Sequence, residues 1–293
     1  MSLELVAGID DIATERALSS GWSYVVLPKA DAAHFSSRAQ AFLAPAGLTE
    51  FHAKEFKPSR AKQCKAYENL LSALRKTAEN AALCLLACSL YDDTFHPTFT
   101  SFSARITQNV FGNLGVSDQT VIAAAPKAAS PLFTLMRLLT APEGAVLSSI
   151  EMDQDIPLST FAAQTFVAHG KSLPATQLLA ILAEAYRKQY FPRSPQLFPS
   201  GLAFVDSPLS FLVQAADVLG NFSVNYLMSK LGTVTKGRAM KSKIFETVFG
   251  DLLTQSQFGQ FAVLTGSQAE LAPSQAGALT FTVTRALSAP AES

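Results

Sequence analysis

The chain has 293 residues, 48% hydrophobic and 16% charged, and its 23 Lys and Arg balance 23 Asp and Glu to a formal net charge of zero. That length fills a substantial core, and the neutral balance gives no overall positive field to draw in nucleic acid or an anionic membrane, so any such contact is left to local patches. The opening ten residues lack the basic start and apolar stretch of a secretory signal, and no apolar run reaches membrane-spanning length, so the expectation is a cytoplasmic protein without membrane contact.

Residues 3–9 and 22–27 are short runs rich in valine and aromatics, which predicts two adjacent antiparallel strands. Residues 30–43 show helical spacing that ends at Pro45 and Gly47, and residues 59–80 predict a longer helix with Leu70, Leu71 and Leu74 on its apolar face. Residues 82–90 are nearly all apolar, as in a central strand covered on both sides, and Asp92 and Asp93 close it. Cys84 and Cys88 share one face of that strand; with Cys64 they form no doublet of the zinc-site kind, and reduced, buried thiols are expected.

Residues 95–139 read as a helical segment broken at Gly112, Gly115, Pro126 and Pro131. A strand at 145–152, helices near 159–168 and 174–190, a short strand at 202–205 and a helix at 207–231 follow. The end of the chain carries a basic stretch, a short helix near 242–254 and two candidate edge strands, 258–264 and 279–285. Strands separated by helices predict an α/β fold, a mixed sheet with helices on both faces, as one domain over 1–293 with a helical insertion at about 95–140.

Acids are scarce, and they gather where strands end, the place where such sheets bind ligands. Asp10 and Asp11 follow the first strand, Glu151, Asp153 and Asp155 end a later one, and Asp206 ends the short one. Alternation puts Glu151 and Asp153 on one face, with Met152 turned into the core. In the helix at 207–231 the polar residues Ser207, Ser210, Gln214, Asp217, Asn221 and Asn225 recur every three or four positions, a narrow stripe whose one charge is Asp217. One reading brings Asp10, Asp153 and Asp217 together around Mg²⁺ or Mn²⁺, hard cations that prefer carboxylate oxygen. The other has Asp10 and Asp153 capping helices or turns and Asp217 paired with a buried lysine or amide.

Ile9-Asp10-Asp11, Phe51-His52-Ala53-Lys54-Glu55-Phe56, and Val205-Asp206-Ser207 followed by Gln214-Ala215-Ala216-Asp217 resemble, in that order, the motifs of domain-of-unknown-function family 3800. The resemblance covers roughly residues 3–226; Asp11 stands where the family often has glutamate, and Ile12 and Ala13 replace its serine and glycine. It implies a ribonuclease H-like fold and metal-dependent cleavage of nucleic acid, with Asp10, Asp153 (or Asp155) and Asp217 as metal-binding acids and His52 and Lys54 as the His-x-Lys element. Asp11, Glu55, Glu151, Asp155, Asp206 and Gln214 are then auxiliary groups, and His52 orients a phosphate or shuttles a proton, unless it is only a histidine hydrogen-bonded between Phe51 and Phe56.

Two basic clusters, Lys54, Lys57, Arg60, Lys62 and Lys65, and Lys230, Lys236, Arg238, Lys241 and Lys243, are candidate phosphate contacts or simply solvated faces. Phosphate-loop, dinucleotide-turn, nucleophile-elbow and His-Glu-x-x-His signatures are missing, so nucleotide-dependent and serine-hydrolase functions fall away. The expected function is a metal-dependent nuclease or phosphodiesterase, and its rival is a catalytically silent binding or scaffold protein.

Overall fold

The alternation of the first thirty residues builds two long paired strands in the computed structural model, which describes residues 3–13, 20–91, 97–153, 164–230, 235–254, 262–264 and 279–285. Strands β1 (Glu4–Ala13) and β2 (Ser20–Pro28) run antiparallel, with Ile9 opposite Tyr24 and Asp10 opposite Ser23. β3 (Cys84–Tyr91) lies antiparallel on β2, and β4 (Val146–Asp153) lies parallel on the other side of β1. The two-residue β7 (Gln196–Leu197) and β8 (Leu202–Val205) both run parallel to β4. Beyond β3 come β11 (Leu279–Arg285), β10 (Ala262–Leu264) and β9 (Leu253–Thr254). Residues 279–285 are therefore an interior strand of the sheet and not the edge strand expected, because β3 and β10 flank them.

Period-two alternation divides the core into two layers. Ile12, Val25, Leu27, Cys84, Leu86 and Cys88 face α1 (Lys29–Ala46), α2 (Ala61–Asn80), α6 (Phe211–Lys230) and α7 (Lys236–Phe249). Leu5, Ala7, Ile9, Tyr24, Leu85 and Met152 face α3 (Pro97–Leu114), α4 (Gln119–Leu138) and α5 (Ala175–Tyr190). The fold is α/β, a mixed sheet with helices on both faces, and each fully buried Leu, Ile or Phe contributes roughly 1.5–3 kcal/mol to holding the layers together. The segment expected as a helical insertion supplies α3 and α4, which cover the second face of the sheet.

Several local expectations are corrected. Pro126 and Pro131 lie inside α4 and do not end it; the apolar face formed by Ala125, Ala128, Leu132, Phe133 and Leu135 is buried on the sheet, and Tyr24 Oη donates to the Pro131 carbonyl at 3.0 Å. Tertiary packing there outweighs the roughly 3 kcal/mol that a proline costs a helix interior. Thr165–Ala168, expected in a helix, is strand β5 of a hairpin with β6 (Lys171–Pro174). Its turn passes through His169 and Gly170, whose φ values of 48° and 74° suit the tight hairpin geometry that matches strand twist. Residues 159–163, Asp92, Asp93 and the last eight residues lie outside the described ones. Helix α7 begins at Lys236, earlier than expected, and takes most of the second basic cluster into a helix. Cys84 and Cys88 are buried thiols outside any disulfide, burial pushing Cys88 up to about 12, whereas Cys64 is half-buried. Among the described residues no helix is long and apolar enough to cross a membrane.

Candidate acid site

Two glycines let α6 rest directly on the sheet. A Cβ at Gly8 would stand 2.3 Å from the Leu212 carbonyl carbon, and one at Gly220 would stand 2.8 Å from the Ser23 Cβ. The start of α6 is fixed to β4 as well, because Ser210 Oγ accepts from the Val213 N–H at 3.2 Å and donates to Glu151 Oε2 at 2.5 Å. Since Ile9 and Met152 point into the opposite layer, Asp10, Glu151 and Asp153 point toward α6, and Asp217 stands two turns beyond Ser210 on the helix face that Ser210 begins.

The acids feel one another. Asp10 is 5% exposed, and its carboxyl is held well above the usual carboxylate range by burial first and then by Asp217, Asp11 and Asp153; the Asp11 N–H, donating to Asp10 Oδ1 at 2.9 Å, opposes the shift. Asp11 is also raised, by burial and by Asp153 and Asp217, with the Lys54 ammonium pulling the other way. Asp153 on β4 and Asp217 on α6 thus both sit within electrostatic reach of Asp10. Sequence reasoning missed Glu50, which is raised by burial and by Glu55, Asp206 and Asp153, while His52 lowers it. Glu55 and Asp206 are therefore rim groups, both exposed; Glu151 is engaged by Ser210; Asp155 lies outside the described residues.

The Phe-His-Ala-Lys-Glu-Phe segment closes the site. It runs into a short 3₁₀ turn, Ala53–Glu55, and belongs to no strand, so its N–H groups need partners from elsewhere. The Phe51 N–H donates to Gln214 Oε1 at 2.9 Å, and Gln214 Nε2 donates to the Ser207 carbonyl at 3.0 Å. The His52 N–H donates to Tyr67 Oη at 3.2 Å, and that hydroxyl donates back to the His52 carbonyl at 2.8 Å. The Ala53 N–H donates to Asp217 Oδ2 at 2.6 Å, and Lys241 Nζ donates to the Ala53 carbonyl at 2.7 Å and to Asn221 Oδ1 at 2.8 Å. His52 Nδ1 lies 3.1 Å from Asp217 Oδ2, and this hydrogen bond is the main reason the imidazole is more basic than usual. Buried rings of Phe51, Phe56, Tyr67 and Phe222 pack beneath, Phe51 edge-on to Tyr67 at 5.3 Å and Tyr67 stacked on Phe222 at 5.7 Å.

The sequence alternative for Asp217, a buried amide or lysine partner, is realised in part, since the carboxylate accepts a main-chain amide and the imidazole. The Gln-x-Ala-Asp stripe was legible, but Tyr67 and Lys241 were not: nothing in local spacing marks a tyrosine or a lysine as the partner of main chain far away. The basic clusters divide. Lys54, Lys57, Arg60, Lys62 and Lys65 are exposed, with Lys65 paired to Glu68 at 2.8 Å, whereas Lys241 turns inward. Among the described residues no group of three or more His, Cys, Asp or Glu is arranged to hold a metal ion as it stands. No family model matches the chain, and comparison with curated proteins and with solved structures gives no match either.

Proposed function

We propose that the chain is a divalent-metal-dependent phosphodiesterase acting on nucleic acid, in which Asp10, Asp153 and Asp217 bind Mg²⁺ or Mn²⁺. The observation that carries this reading is a carboxyl buried at Asp10 with the carboxylates of Asp217, Asp11 and Asp153 pressing on it. Such crowding is unfavourable unless a proton or a cation shares it, and all-oxygen donors suit hard cations. The resemblance to domain-of-unknown-function family 3800 supports the same conclusion, because its His-x-Lys and Gln-x-Ala-Asp elements, 163 residues apart at Phe51 and Gln214, bond to one another.

An ion held there supplies activation of a water and stabilisation of the departing oxygen in phosphodiester cleavage. The protein groups have separate tasks. Asp217 fixes His52 through Nδ1, so the imidazole is oriented for a proton or a phosphate oxygen at Nε2. Lys54, close enough to act on Asp11, offers a cation to a substrate phosphate, and Lys57, Arg60 and Lys62 extend that positive edge along the start of α2. A cytoplasmic setting belongs to the same proposal and is supported by Cys64, Cys84 and Cys88 all remaining outside disulfides.

The test is Mn²⁺-dependent cleavage of single-stranded, duplex and hybrid substrates. Asp10→Asn and Asp217→Asn are expected to abolish it, and activity unchanged by Asp217→Asn overturns the assignment. A second reading, a catalytically silent scaffold, is favoured by Asp217 Oδ2 already holding both the Ala53 N–H and His52. Calorimetry separates the two, since the scaffold takes up no Mn²⁺.

A further inference from the structure

Lys241 belongs to the second basic cluster yet turns inward, two of its donors already taken by the protein. Its ammonium is half-buried, held by the Ala53 carbonyl at 2.7 Å and Asn221 Oδ1 at 2.8 Å, and lies 5.9 Å and 5.7 Å from the ring centres of Phe56 and Phe222. Ala53 is thus gripped from two sides, its N–H by Asp217 and its carbonyl by Lys241. A carboxylate receiving a main-chain N–H at 2.6 Å has its rotamer fixed by where that main chain sits, and Lys241 fixes the main chain.

We propose that Lys241 is a positioning residue of the acid site: by holding the Ala53 carbonyl it keeps the Ala53 N–H and His52 on Asp217, and so sets the orientation in which Asp217 works. This rests on the reading of Asp217 as a working acid. Outer partners of this kind matter because they orient the group that touches the reaction, and removing one typically lowers activity or metal affinity by ~10–100-fold.

The experiment compares wild type, Lys241→Met, Lys241→Arg and Asp217→Asn as full chains, by the amide proton resonance of Ala53 and by Mn²⁺-supported cleavage. In wild type the Ala53 amide proton is expected far downfield, as for a short bond to a carboxylate. Lys241→Met moves it upfield and lowers kcat by roughly 10–100-fold with KM little changed. Lys241→Arg, which keeps a charged donor, brings both back. An Ala53 resonance left at its wild-type position in a folded Lys241→Met protein overturns the proposal, as does a folded Lys241→Arg protein that behaves like Lys241→Met. Failure of the site reading looks different: either wild type takes up no Mn²⁺ and does not cleave, or Asp217→Asn binds Mn²⁺ and cleaves as wild type does, while the Ala53 resonance still decides what Lys241 holds.

Discussion

Asp10 places a charge where the fold resists one. Its folded-state pKa lies above the ordinary value, so the folded protein holds that proton more tightly than the unfolded chain. Stability therefore falls as pH rises from the ordinary carboxylate range through the raised value, and the cost persists at neutral pH. Asp10→Asn is expected to stabilise the metal-free protein at pH 7, a gain that disappears below the ordinary carboxylate range; urea unfolding at the two pH values measures it. His52 works in the opposite sense. Its raised pKa means that its bond to Asp217 stabilises fully below the ordinary imidazole value and weakens as pH rises through the raised one, so His52→Gln should cost most in mildly acidic solution. The sequence was informative about lone acids in apolar runs, Asp10 and Asp217 above all. It was silent on Glu50, Tyr67 and Lys241, whose importance comes from neighbours supplied by distant chain.

Helix α6 joins the acids of the sheet to the segment that closes over them. Its close packing on β1 depends on the absence of a side chain at Gly8, where a methyl would collide with the Leu212 main chain and leave only a shift of the whole helix as an escape. Gly8→Ala is expected to destabilise by about 1–3 kcal/mol in denaturant titration and, by lifting Asp217 away, to relax the raised pKa of Asp10. Ser210→Ala removes both the cap at Val213 and the partner of Glu151, a cost of about 1–2 kcal/mol readable as a lowered Tm. The polar stripe of α6 was readable because three- and four-residue spacing is the signature of one helix face. The β5–β6 hairpin was not, because four-residue strands give too short a pattern to separate from a helix, and the two prolines of α4 mislead because local propensity cannot register burial on a sheet.

For the molecule as a whole, parallel β1 and β4 bring their acid-bearing ends together in the middle of the sheet, while charge over the whole chain sums to zero. Under the proposed function, attraction to nucleic acid therefore depends on the exposed edge of Lys57, Arg60 and Lys62. Replacing those residues with Gln should weaken binding and flatten its salt dependence by roughly 0.9 in log–log slope for every duplex phosphate that is no longer neutralised, with thermal stability unchanged. The α/β class and the two-faced sheet were legible from strands alternating with helices, whereas the interior place of β11 depends on pairing between residues far apart along the chain, Leu279 with Leu90 among them, which no local pattern encodes.

The main-chain donors of residues 51–53 are met by groups on α2 and α6, and the Ala53 carbonyl by Lys241, 188 positions downstream on α7. During synthesis this strip leaves the ribosome shortly before Tyr67 does but long before Gln214, Asp217 and Lys241 exist. The acid pocket is completed late in the life of the nascent chain, and a ribosome stalled before residue 241 carries the acids of β1 and β4 without the lysine that holds Ala53 and without the last three strands of the sheet.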